Sequence, residues 1–131
     1  MSHPLVDAAR TAMERAYAPY SHYRVGAALQ TSDGAVVLGC NVENASYPAG
    51  ICAERTALSA AVAAGHRGFE AIAICVEGDV PASPCGICRQ VLAEFAPALT
   101  IISATTSGAT QHWTLDQLLP SPFLAEALRH A

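Results

Sequence analysis

The sequence predicts an α/β protein in which one mixed sheet carries helices on both faces. Three observations point there. Helical and strand-like runs follow one another as helix, hairpin, helix, strand, helix, strand. Residues 71–76 have no polar side chain and are short, the mark of a strand covered on both faces. Gly or Pro punctuates most of the runs, at Pro19, Gly34, Gly65, Pro84 and Pro97. At 131 residues the chain is expected to form a single domain spanning residues 1–131.

The elements follow in order. Leu5, Val6, Ala9, Ala12, Met13, Ala16 and Tyr17 recur at helical spacing, so a helix is expected over residues 4–17, stopped by Pro19. Val25, Ala27 and Leu29 alternate with smaller or polar residues as in a strand. Ser32-Asp33-Gly34 is a turn signal, and Val36-Val37-Leu38 begins the second arm of an antiparallel hairpin. Residues 39–50 are polar and turn-rich. Helix formers dominate residues 52–64, and Gly65 supplies the stop. The buried strand over 71–76 leads through a Pro-rich loop to a helix with Ile87, Val91, Leu92 and Phe95 on its inner stripe. Further strands are expected at 100–103 and 111–114, with Trp113 packing at the sheet edge. Thr114 and Gln117 have capping-box spacing for a short helix to Leu119, and residues 123–128 suggest a last turn or two.

Composition narrows the function. The formal charge is −4, and the seven Lys and Arg residues form no run. A groove that tracks phosphates needs clustered cations, so a nucleic-acid partner is excluded and a small neutral substrate is favoured. No apolar stretch approaches the ~18 residues of a membrane span. Asp7, Arg10, Glu14 and Arg15 stand where a signal peptide would be apolar, so a cytoplasmic protein is expected. Five cysteines in a reducing compartment argue for metal binding or catalysis rather than a disulfide framework. Only 14% of residues are charged, which suits either a subunit that buries surface against copies of itself or simply an alanine-rich chain.

Two short stretches carry the chemistry: Cys52-Ala53-Glu54 and Pro84-Cys85-Gly86-Ile87-Cys88. A catalytic zinc takes three protein ligands and keeps a fourth position for water. Cys52, Cys85 and Cys88 can fill the three positions. Each motif falls at a helix start, where free N–H groups and the helix dipole favour thiolate over thiol. Glu54, two residues after Cys52, can stand beside the ion without binding it and shuttle protons for an activated water. Three thiolates and one zinc ion sum to −1. Arg55, next to Glu54, is the candidate for withdrawing that surplus by hydrogen-bonding the thiolates.

The zinc-deaminase signature is H-x-E followed by P-C-x-x-C. Here cysteine replaces the histidine. That form, with Asn41-Val42-Glu43-Asn44 upstream and Arg55-Thr56-Ala57-Leu58 downstream, closely resembles the small cytidine deaminases of the three-cysteine, homotetrameric branch. Tyr17-Ala18-Pro19-Tyr20-Ser21, Val25-Gly26-Ala27-Ala28, Cys88-Arg89-Gln90-Val91 and Leu118-Leu119-Pro120 extend the resemblance over nearly the whole chain. It implies a three-layer α/β/α fold with a mixed five-stranded sheet, and one Zn2+ per subunit. It also implies hydrolytic deamination of cytidine and 2′-deoxycytidine to uridine and 2′-deoxyuridine, with Glu54 as proton shuttle. By the same resemblance Asn41 and Glu43 hydrogen-bond the ribose hydroxyls, and the Ala53 backbone N–H contacts the base carbonyl. Tyr47 reaches a neighbouring subunit's pocket, and Phe123 closes over the base from another subunit of a homotetramer. Tyr23 stands where the family usually has Phe beside the nucleoside.

Other readings remain open at this point. Cys85-Gly86-Ile87-Cys88 also suits a dithiol redox pair, which has no need of Cys52 or Glu54. A structural zinc site would take a fourth ligand from Cys40, Cys75 or a histidine and make the chain a binding module. Within the enzyme class, blasticidin S or another aminated ring is the rival substrate. Cys40 and Cys75 fit buried strand positions. His3, His22, His66, His112 and His130 lack ligand spacing and are expected to be solvated.

Overall fold

The apolar run around Ile72 and Ile74 forms the middle strand of a five-stranded mixed sheet. The computed structural model describes residues 3–129, so His130 lies outside the described residues. Its strands are β1 (Val25–Thr31), β2 (Val36–Cys40), β3 (Phe69–Val76), β4 (Thr100–Thr105) and β5 (Thr110–Thr114). Their order across the sheet is β2-β1-β3-β4-β5. β3 and β4 run parallel, and every other neighbouring pair is antiparallel. A parallel pair needs a crossover, and α3 (Gly86–Ala93) supplies it.

Side chains alternate across the sheet and divide the core in two. Ile72, Ile74 and Val76 face one way, with Ala27, Leu29 and Ile101, and meet Ala57, Leu58 and Ala61 of α2 (Ala53–Ala63) and Leu92 of α3. Ala28, Ala73, Cys75 and Ala104 face the other way and meet Leu5, Ala9 and Met13 of α1 (Pro4–Met13). The result is the three-layer α/β/α sandwich that the resemblance implies. Two glycines set how closely the layers approach. A Cβ on Gly26 would come within 2.0 Å of the Ala9 carbonyl oxygen, and one on Gly39 within 2.4 Å of the Ala57 nitrogen.

Most expected elements appear within a residue or two. The Ser32-Asp33-Gly34 turn forms with Gly34 at φ 91°, and Gly65 ends α2 at φ 100°. The cap expected on α4 (Leu115–Leu118) is present, since Thr114 N–H donates to Gln117 Oε1 at 3.0 Å. Helix α5 (Ala125–Arg129) is the short last segment. The first helix stops at Met13, not residue 17. Tyr17 leaves the helical path to pair with the chain after β2: its N–H donates to the Asn41 carbonyl, and its carbonyl accepts from Glu43 N–H. The apolar spacing that seemed to prolong the helix belongs to this bridge. Ile87 is also misplaced by the inner-stripe reading, being 61% exposed. Cys88, one residue on, takes the buried position and turns Ile87 outward by a helical step. Trp113 does pack at the sheet edge, half-buried on β5. Cys75 is fully buried, and Cys40 partly so.

Candidate active site

The two helix starts meet at one end of the α2–α3 layer. Cys52 is the N-cap of α2, Cys85 is the N-cap of α3, and Cys88 lies in α3's first turn. Cys52 Sγ and Cys85 Sγ are 3.8 Å apart, and all three sulfurs lie within 4.8 Å of one another. A tetrahedral zinc with Zn–S bonds of about 2.3 Å spaces its sulfurs about 3.8 Å apart, which the Cys52–Cys85 pair matches with the third sulfur close by. Among the described residues no fourth His, Cys, Asp or Glu joins the cluster. Three protein ligands are the catalytic pattern, and a closed structural site would have four. A simple dithiol pair is equally hard to reconcile with a third sulfur at the same range.

Electrostatics at the triad follow from its position. The Cys52 thiol is pulled down to about 5, chiefly by its hydrogen bond with Cys88 and also by Arg55. Cys88 is pushed up, first by its hydrogen bond with Cys52, then by burial and by the neighbouring Glu54. Arg55 Nη2 lies 3.6 Å from Cys52 Sγ as a donor. The Arg55 Nε is buried with no partner among the described residues. Glu54 is 5% exposed, and burial raises its pKa to about 7, with the negative charge of Cys52 acting in the same direction. A carboxyl poised near neutrality suits a group that both takes and gives protons.

A cleft of about 460 Å³ opens in front of the sulfurs. It brings together Tyr23, Asn41, Glu43, Tyr47, Ala53, Glu54 and Arg55 with Cys52 and Cys85. Of the residues expected at the site, Cys88 lies buried behind this surface and Phe123 is elsewhere on the chain. Ala53 opens α2, where the first N–H groups have no partner within the helix. Tyr23 has its pKa raised by partial burial and by the nearby Glu54. Tyr47 is 76% exposed at the mouth, where its ring meets that of Tyr20 edge-on.

Asn41 and Glu43 do more than face the cleft. Asn41 Oδ1 accepts from Val25 N–H at 2.9 Å, and Nδ2 donates to the Tyr23 carbonyl at 2.8 Å. Glu43 Oε1 accepts from the backbone N–H groups of Tyr20 and Ser21, and Oε2 accepts from the Ser21 hydroxyl. That hydroxyl contact, the largest influence, holds Glu43 below the usual carboxylate range. Each side chain still has one amide hydrogen or lone pair to offer a ligand. The pair therefore shapes the 20–25 segment as well as lining the cleft. His22 completes that segment with a left-handed backbone at φ 59°.

Two supporting residues were missed from sequence. Arg89 Nε donates to the Pro84 carbonyl at 2.7 Å, Nη1 to the Leu118 carbonyl at 2.9 Å and Nη2 to Ser83 Oγ at 3.1 Å. It ties down the loop that delivers Cys85. Glu77 receives Arg24 through two guanidinium nitrogens, at 2.9 and 3.1 Å, beside Tyr23. The first had a signal, a cation directly after Cys88. The second pair is 53 residues apart and had none.

Comparison with known proteins gives the same answer. Residues 2–104 match the family model described as the cytidine and deoxycytidylate deaminase zinc-binding region. A cytidine deaminase of Halalkalibacterium halodurans is 48% identical over 93% of this chain and 93% of its own. One from Sporosarcina psychrophila is 43% identical over 97% of this chain and 94% of its own. The crystal structure of cytidine deaminase from Burkholderia pseudomallei superposes with a TM-score of 0.89 at 50% identity, covering 94% of this chain and all of that one. The family match covers both helix starts and the thiol triad, and it makes this chain a member of the cytidine and deoxycytidylate deaminase family.

Proposed function

We propose that the chain, acting as one catalytic domain over residues 1–131, hydrolyses cytidine and 2′-deoxycytidine to uridine and 2′-deoxyuridine with release of ammonia. One observation carries this reading: a buried carboxyl, Glu54, beside three thiols at zinc spacing, with Glu54, Cys52 and Cys85 lining one cleft. Cys52, Cys85 and Cys88 would hold one zinc. When bound, the ion supplies Lewis-acid chemistry, lowering the pKa of a water at the open position. The chain's own groups do the rest. Glu54 removes a proton from the attacking water and delivers it to the ring nitrogen. It then takes the second proton, from the hydroxyl now on the ring carbon, and passes it to the amine as the C–N bond breaks and the carbonyl forms, so one water is consumed and one ammonia leaves. The Ala53 N–H holds the base carbonyl and so aims the amine-bearing carbon at the water. Asn41 and Glu43 receive the ribose hydroxyls with the hydrogen and lone pair left over from their backbone contacts. Tyr23 lies against the nucleoside, and Arg55 draws charge from the thiolates.

Four features support assembly into a homotetramer. Tyr47 is exposed at the cleft mouth with Tyr20 against it, Phe123 is 61% exposed outside it, and Ile87 is a further large apolar side chain left in the open. In this reading Tyr47 and Phe123 complete clefts in neighbouring copies. Among the described residues no helix is long and apolar enough to cross a membrane, which accords with a cytoplasmic enzyme. The test is direct. Zinc-loaded protein is incubated with cytidine, deoxycytidine, cytosine and the two monophosphates, and loss of the amine is followed. Both nucleosides should turn over and cytosine should not. Inertness toward both nucleosides would overturn the assignment.

A further inference from the structure

Gln90 lies two residues after Cys88 in α3, and its side-chain amide serves a single distant residue. Nε2 donates to the Phe123 carbonyl at 2.6 Å, and Phe123 N–H donates to Oε1 at 3.2 Å. An amide that grips both backbone groups of one residue reproduces a rung of a β-ladder and fixes that residue's orientation. The surrounding segment is anchored too. Arg89 Nη1 holds the Leu118 carbonyl, and Leu119 and Leu124 pack against the core. Yet the ring at the centre of this fixed segment is 61% exposed. Holding a residue still costs conformational entropy, and folding alone would gain by burying the ring. An exposed aromatic on an immobilised backbone is the arrangement of a pre-organised binding contact.

We infer that Gln90 is a positioning residue, whose two-point clamp on the Phe123 backbone sets the ring to close over the nucleoside in a second copy's cleft. This rests on the reading above that Phe123 serves a neighbouring copy. It adds that one helix does two jobs. The first turn of α3 carries Cys85 and Cys88 for the chain's own cleft, and its next turn sets the ring offered to another. Placement of the ion and of the contributed aromatic is thereby tied to one rigid element.

The test is a double-mutant cycle with full-length, zinc-loaded protein. Gln90→Met keeps the length of the side chain and removes both hydrogen bonds. It should raise KM for cytidine about tenfold with kcat nearly unchanged, while zinc content and melting temperature stay close to those of the parent. Phe123→Ala should raise KM by at least as much. In the Phe123→Ala background Gln90→Met should then add nothing, because no ring remains to be positioned. Gln90→Leu, which also removes both hydrogen bonds without adding charge, should behave alike and serves if Gln90→Met folds poorly. An equal added loss from Gln90→Met without the ring would overturn the inference, as would an unchanged KM for Gln90→Met where Phe123→Ala raises it. An unchanged KM for Phe123→Ala would instead overturn the role of Phe123, and this inference with it.

Discussion

The two walls of the cleft are built in different ways. The wall that holds the ion consists of helix starts rooted in the sheet. Cys52 and Glu54 ride on α2, which is pressed onto Gly39, and Cys85 and Cys88 ride on α3. The wall proposed for the sugar consists of loops. Its residues are held by side chains gripping backbone: Asn41 on residues 23 and 25, and Glu43 on residues 20 and 21. Reacting groups must be placed to a fraction of an ångström, which packed elements supply. Recognition tolerates more movement, and loops suffice.

The sharpest way to probe this contrast is Glu54→Gln. Turnover should fall by about two to four orders of magnitude while bound zinc, measured by metal analysis, stays at one per chain. Melting temperature should hold or rise, because a buried carboxyl becomes an amide. Near-normal turnover would remove the proton shuttle from the ion-holding wall. Chelating the zinc should abolish turnover with the far-UV CD spectrum nearly unchanged, since the two cores do not depend on the ion. Unfolding on chelation would show the wall to be held by metal rather than by the sheet.

Gly39→Val should come next in size. The added side chain meets the α2 backbone, and overpacking of this kind costs about 1–3 kcal/mol or more. Displacing α2 should also weaken zinc binding, so melting temperature and zinc affinity should fall together. On the loop wall, Glu43→Gln should raise KM for cytidine about three- to tenfold, with kcat and zinc content little changed. A loss confined to kcat would mean that this wall also places reacting groups. The smallest effect is expected for Ser103→Ala, inside the sheet. The Ser103 hydroxyl is fully buried with no partner among the described residues, so its removal should leave stability within about 1 kcal/mol or improve it.

The walls also differed in how readable they were. Thiol spacing, the neighbouring Glu54 and the helix-start context are local facts, so the ion-holding wall could be read from residues alone. The buried run at 71–76 revealed the central strand for the same reason. The loop wall depends on contacts between residues far apart in sequence. Nothing near Tyr17 signalled that it would leave its helix to meet Asn41 and Glu43. Asn41 and Glu43 were found through resemblance, but their grip on residues 20–25 was not, because a side-chain-to-backbone bond leaves no spacing pattern. Ile87 was misread because an apolar stripe counts residue types, whereas the turn's orientation was already fixed by the cysteine beside it.

Gly39 has a wider bearing. Only a hydrogen atom stands between that strand and the helix carrying Cys52 and Glu54, so the depth of the reactive carboxyl is set by a missing side chain. Divergence toward other aminated rings has no room to move that helix. It must proceed by rewriting the rim instead, which leaves the reaction constant while the choice of substrate drifts.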